Sequence, residues 1–102
     1  MSLSSREKKS MRQIAHYLDA VVIVAAQPIS DGVAQETERA LQDHELIKVK
    51  FAIEDREARW SAAKSLAESC NAEVVHKIGK VAVLYRANPQ ANSKLSNISR
   101  YS

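Results

Sequence analysis

His44-Glu45-Leu46-Ile47-Lys48-Val49-Lys50 is where a helical spacing of apolar residues stops and an alternating one begins. Upstream, Val33, Thr37, Ala40, Leu41 and His44 form the stripe of an amphipathic helix. From Leu46 onward the period is that of a strand, in which side chains two apart share a face. Leu46, Lys48 and Lys50 therefore point one way, and Ile47, Val49, Phe51 and Ile53 the other. One face is apolar and the other cationic. An ordinary solvated strand and a phosphate-binding surface both satisfy that pattern, so the flanking segments have to separate them.

Working outward, the strand is predicted over Leu46–Ile53, and Asp55 caps a third helix whose Trp60, Ala63 and Ala67 share a face beside Ala62 and Leu66. Ala72–Ile78 and Val81–Tyr85 read as strands joined at Gly79-Lys80, a two-residue hairpin signal. Toward the N-terminus, Ser30 is the N-cap of the second helix, with Asp31 in its first turn, and Gln27-Pro28 ends the strand before it. That strand, Val21-Val22-Ile23-Val24, is β-branched with no polar alternation, which predicts a central position with both faces covered. Ser4-Ser5-Arg6-Glu7 is a capping box opening a first helix, in which Met11, Ile14, Ala15 and Leu18 make one apolar stripe.

The predicted fold is thus of the α/β class, more closely a two-layer α+β arrangement: an N-terminal helix followed by β-α-β-α-β-β. The strands make a mixed four-stranded sheet with right-handed crossovers that put two helices on one face. The first helix is left to cover part of the other. Residues 1–88 form one domain, and residues 89–102, rich in Asn and Ser after Pro89, read as a polar basic tail.

A chain of 102 residues, 45% apolar and 26% charged, has the balance of an ordinary globular domain with a single core. Cys70 is the only cysteine, so an internal disulfide and a cysteine-built zinc site are both excluded, and a reducing, cytoplasmic setting is expected. The longest uncharged apolar run, Ala20–Ala26, is too short to span a bilayer. The net charge of +3 is unevenly spread. Arg6, Lys8, Lys9 and Arg12 face only Glu7 near the N-terminus, and Arg86, Lys94 and Arg100 near the C-terminus face no acid. Basic ends around a mildly acidic body suit a polyanion, because each cation brought onto a phosphate releases counterions.

Catalytic patterns are absent. His44-Glu45 would begin a zinc-protease helix only with a second histidine at position 48, which is Lys48. His16 and His76 stand apart in sequence, and no nucleophile triad, phosphate-binding glycine loop or paired-carboxylate site appears. Asp31 with Glu36, and Glu54 with Asp55, fall near helix starts, where capping and dipole complementation account for them. No catalytic residue, metal, cofactor or small-molecule substrate is expected. Recognition remains. The turn Ala25-Ala26-Gln27-Pro28 leads to Ser30 and the N-terminus of the second helix, whose open N–H groups can seat a phosphate. Lys48, Lys50, Lys80, Arg86 and Arg12 are candidates to surround a nucleic-acid backbone there, and Tyr85 is a candidate to stack on a base or to fill the hairpin core.

Several blocks together resemble the CRM (chloroplast RNA splicing and ribosome maturation) family in its bacterial single-domain, YhbY-type form. They are Ala15-His16, Ile29-Ser30-Asp31-Gly32-Val33, Ala40-Leu41, His44 to Lys50, Ile78-Gly79-Lys80 and Leu84-Tyr85-Arg86. The resemblance implies a fold like the C-terminal domain of translation initiation factor 3, RNA binding, and association with ribosomal RNA in large-subunit precursors, without catalytic activity. A monomer with no membrane partner is expected. Family members carry a G-x-x-G turn between the first strand and second helix, where this chain has Ala25-Ala26-Gln27-Pro28. Glycine permits positive φ and close backbone approach, whereas proline fixes φ and lacks an N–H. A protein-interaction module docking on a ribosomal protein or assembly factor is therefore the alternative.

Overall fold

The computed structural model describes residues 3–101, in the order α1 (Ser5–Ala15), β1 (Ala20–Val24), α2 (Asp31–His44), β2 (Leu46–Phe51), α3 (Arg56–Ser69), β3 (Glu73–Ile78), β4 (Val81–Tyr85) and α4 (Asn97–Tyr101). The three long helices begin at the caps expected from sequence. Ser4 Oγ accepts the Glu7 N–H while Glu7 accepts that of Ser4, Ser30 Oγ accepts the Val33 N–H, and Asp55 accepts the Ala58 N–H. Each bond satisfies a donor that has no partner inside its helix.

The strands form one mixed sheet in the order β1-β2-β4-β3. β1 and β2 are parallel because α2 carries the chain back across the sheet, whereas β4 is antiparallel to both neighbours. The β3–β4 hairpin turns at Gly79-Lys80, with Gly79 at φ 58°, where a side chain would be strained. α2 and α3 pack on one face around Val22, Leu41, Val49, Phe51, Leu66 and Leu84. On the reverse face α1 sets Met11, Ile14 and Ala15 against Leu46, Val75 and Val83, with Ile98 of α4 beside them.

The sheet order corrects the reading of β1 as a doubly covered central strand. It lies at an edge, and Val21 and Ile23 are 47% and 62% exposed. The crossover through α2 places β1 outside β2, and the hairpin then takes the other side of β2, so β2 and β4 become the interior strands. α1 covers β2, β3 and β4, leaving the reverse face of β1 open. The apolar run of β1 thus reflects one buried face, holding Val22 and Val24, and β-branched residues on an exposed one.

Residues 88–101 fold back over the corner between α2 and β2. Glu45 stands there at φ 61°, ψ −45°, nearly buried, with its N–H donating to Leu41 O at 2.9 Å. Its carboxylate accepts the Asn88 N–H at 2.8 Å and the Ser96 hydroxyl at 2.7 Å. Asn97 Nδ2 donates to Leu46 O, and His44 Nδ1 lies 2.8 Å from Leu95 O. A stretch with the composition of a tail is held by specific polar contacts, and α4 comes to rest beside α1 and β2.

Candidate nucleic-acid interface

The reverse face of the sheet, where α1 leaves it uncovered, carries the cations of β2. Lys48 pairs across to Val83 and Lys50 to Val81, while Ile23 of β1 lies opposite Lys50 on the other side. On β3, a bulge between Val74 and His76 decides what faces this surface. Val74 packs in the α2/α3 core and the extra residue, Val75, in the α1 core. The inserted residue shifts the alternation, so that His76 (opposite Val83) and Ile78 (opposite Val81) also look toward the α1 side. Lys77 is turned to the opposite face, where its ammonium lies 5.4 Å from the ring centre of Trp60.

Arg12, His16, Lys48 and His76 thereby converge on one shallow cleft of about 100 Å3, floored by Ala15 and Val83 with the exposed Ile78 also lining it. Among the described residues, Arg12, Lys48 and Lys50 have no ion-pair partner; the salt bridges present are Lys8–Glu73, Lys80–Glu54 and Arg86–Glu38. Lys50 is exposed and Lys48 half-buried, its stem lying on the sheet. A cationic side chain on a rigid strand, without a carboxylate beside it, is available to an external anion with no ion pair to break.

The turn Ala25-Ala26-Gln27-Pro28 lies at the Lys50 end of the sheet, since Ile23 is in register with Lys50 and Ala52 N donates to Val24 O at 2.8 Å. All four of its residues are exposed, and Gln27-Pro28 is a cis peptide. Beyond it, Ser30 Oγ occupies the Val33 N–H and Ser30 O the Ala34 N–H, while the N–H groups of Asp31 and Gly32 have no partner among the described residues. A Cβ added at Gly32 would meet nothing nearer than Ser30 Oγ at 4.0 Å, so a backbone can approach there. The Asp31 carboxylate already complements the helix dipole, so the site is less strongly anion-seeking than a bare helix start.

The other proposed contacts are placed differently. Lys80 stands at the hairpin tip on the same end of the sheet, but its ammonium is bonded to the Glu54 carboxylate. That carboxyl lies below the usual carboxylate range, first because of this hydrogen bond and then through the charges of Lys80 and Arg59. Arg59 fixes the local backbone by donating to Ile53 O, Glu54 O and Gly79 O. Arg86 sits at the far end of the sheet. Its guanidinium lies 2.6 Å from Glu38 Oε2, donates to Cys70 O at 3.0 Å, and its side chain is 17% exposed. Tyr85 is at that same end, packed against the α1 cluster, and its hydroxyl pKa is raised by burial first and then by the Glu45 and Glu7 carboxylates. The structure therefore brings Arg12, Lys48 and Lys50 onto the α1 face of the sheet, with the Ala25–Pro28 turn and Ser30 beyond its Lys50 end, and leaves Arg86 and Tyr85 apart from them. Sequence reasoning passed over His16, His76 and Ile78 as members of this surface. A bulge has no signature in a run such as Glu73-Val74-Val75-His76, so nothing in the sequence indicated that the alternation changes phase there.

Among the described residues, no group of three or more His, Cys, Asp or Glu could hold a metal ion, and no helix is long and apolar enough to cross a membrane. A model of the CRS1 / YhbY (CRM) domain matches residues 3–86. Over 101 residues the chain is 46% identical to a protein of Pseudomonas aeruginosa named a probable RNA-binding protein, covering 99% of this chain and 97% of that one. A Haemophilus influenzae protein named as RNA-binding is 37% identical over 92% of this chain and 95% of its own length. Among solved structures, that of a hypothetical protein from Staphylococcus aureus superposes with a TM-score of 0.76 at 26% identity, over 87% of this chain and 93% of that chain.

Proposed function

The chain belongs to the CRS1/YhbY (CRM) domain family, and from that premise we propose that it is a non-enzymatic RNA-binding protein. Its target is ribosomal RNA of the large-subunit precursor, and it assists assembly in the cytoplasm as a monomer. The observation that carries this reading is the set of cations Arg12, Lys48 and Lys50, without an ion-pair partner among the described residues, on the open sheet face beside α1, with the Ala25–Pro28 turn and the α2 N-terminus at one end of it. The names of the relatives from Pseudomonas aeruginosa and Haemophilus influenzae support the same class of ligand.

RNA contacts made through phosphates weaken linearly with the logarithm of salt, by about 0.7 to 0.9 in slope for each phosphate neutralised. The Lys48→Ala/Lys50→Ala double variant is expected to lose about 1.4 to 1.8 from that slope on a large-subunit ribosomal RNA fragment. An undiminished slope would remove these lysines from the interface.

A second reading draws on the exposed edge strand β1, where Val21 and Ile23 offer apolar surface and open backbone groups to a protein. Binding to purified large-subunit precursor particles separates the two. Association that survives complete nuclease digestion of the particle favours the protein-docking reading; association that vanishes with the RNA favours the first.

A further inference from the structure

α1 ends in a pair of residues that look in different directions. His16 contributes to the Arg12/Lys48 cleft already described, and it also lines a second, open cleft of about 650 Å3 with Ser10, Gln13, Tyr17 and Tyr101. Tyr17 is 75% exposed, far more than its packing role would require of an aromatic ring. Among the described residues its ring stacks on that of Tyr101 of α4, at a centroid separation of 5.9 Å and an interplanar angle of 10°. Tyr101 in turn carries the Arg100 guanidinium 5.5 Å from its ring centre. The stack exists because Glu45, Asn97 and His44 hold residues 88–101 against the α2–β2 corner, and this segment lies beyond the residues 3–86 that match the family model.

We propose that Tyr17 and Tyr101 form a stacking site for an unpaired nucleobase of an RNA strand that crosses the lysine face, with Arg100 on the adjoining phosphate. The inference rests on the RNA-binding reading above and extends it to a part of the chain outside the family match. A base laid on the exposed face of Tyr17 continues a two-ring stack that is already ordered, so the aromatic platform loses little freedom on binding. The cleft beside it presents an amide at Gln13, a hydroxyl at Ser10 and an imidazole at His16, groups that can meet the edge of a base. The charge agrees: Arg12, Lys48 and Arg100 flank the path, and Asp19 is the one acid among the described residues lining the clefts around Tyr17. A duplex cannot use such a site, because its bases are stacked on one another, so the occupant is single-stranded.

The experiment measures the affinity and salt slope of the full chain, Tyr17→Ala, Tyr17→Phe and Arg100→Ala on a single-stranded oligouridylate and on a fully paired RNA duplex. Loss of one base–aromatic stack corresponds to a loss of affinity of roughly fivefold to 150-fold. Tyr17→Ala is expected to lose that on the single strand with an unchanged salt slope, to behave like the parent on the duplex, and to be rescued by Tyr17→Phe. Arg100→Ala is expected to lower the slope by about 0.7. Single-strand affinity of Tyr17→Ala within twofold of the parent, or an equal loss on the duplex, overturns the stacking site while leaving RNA binding intact. Absence of RNA binding by the parent overturns both readings, whereas retained RNA affinity in Tyr17→Ala together with lost binding to nuclease-treated precursor particles overturns the stacking site alone and assigns the platform to a protein.

Discussion

Glu45 is the residue whose replacement tests the architecture most sharply, because three substitutions there separate its side chain from its backbone. The carboxylate accepts two hydrogen bonds, from Asn88 N and Ser96 Oγ, in a setting with 8% exposure. Hydrogen bonds to a charged group contribute about 1.5 to 3 kcal/mol each. Asn88 is only half-buried and can take water in return, so the pair is not fully additive and Glu45→Ala is expected to cost about 2 to 4 kcal/mol. In Glu45→Gln the amide oxygen keeps one bond and the Ser96 hydroxyl can rotate to accept from the amide nitrogen, which limits the loss to about 1 kcal/mol. The backbone at φ 61°, ψ −45° is strained for any residue with a Cβ. Glycine relieves about 1 to 2 kcal/mol of that strain and gives back about 0.5 to 1 kcal/mol through greater freedom in the unfolded chain. Glu45→Gly is therefore expected to be more stable than Glu45→Ala by about 0.5 to 1 kcal/mol, although it loses the same side-chain bonds. Urea unfolding followed by the fluorescence of Trp60 measures all three, and trypsin cleavage at Lys94 and Arg100 reports release of the C-terminal segment. A Glu45→Ala variant within about 0.5 kcal/mol of the parent, a change too small for these bonds, would refute the reasoning on the carboxylate. A Glu45→Gly variant less stable than Glu45→Ala would refute that on the backbone.

Arg86→Ala is expected to destabilise the fold by about 2 to 3 kcal/mol, because it leaves Glu38 and the Cys70 carbonyl without their partner; the salt slope of RNA binding should not move, and a reduced slope would return Arg86 to the interface. Stability should also fall in acid: the Glu7 and Glu54 carboxyls both lie below their usual value of 4.5, through bonds to Ser4 and to Lys80 respectively. A carboxyl depressed in the folded state stabilises fully above its unfolded value and loses that contribution as pH falls through the folded one. Glu7→Gln/Glu54→Gln should therefore flatten the decline in stability below pH 4.5, measured as the urea midpoint against pH; an unchanged acid limb would contradict both assignments.

The fold was legible in the chain wherever a local rule governs. Ser4, Ser30 and Asp55 announce helix starts because a hydroxyl or carboxylate there satisfies a free N–H, and Gly79-Lys80 marks the hairpin because positive φ favours glycine. The alternation from Leu46 to Phe51 likewise placed Lys48 and Lys50 on one face and Ile47 and Val49 in the core, since period two is a property of the strand itself. Long-range matters stayed hidden. Four apolar residues in β1 cannot say whether a second layer will cover them; that depends on where α1 lands, and it lands on β2, β3 and β4. The bulge at Val75 has no local cause in the sequence, yet it brings His76 and Ile78 to the lysine face. Arg86 reads as a surface cation until the fold surrounds it with Glu38, Gln42 and the Cys70 carbonyl. By itself the sequence determined the elements from α1 to β4, their order and the face on which the lysines lie, all consequences of forces acting within a few residues, while α4 was not legible in it. Which strand lies at the edge, which cations stay unpaired, and that residues 88–101 close over Glu45 to set Tyr101 on Tyr17 were decided only by tertiary structure, because each depends on contacts between segments far apart in the chain.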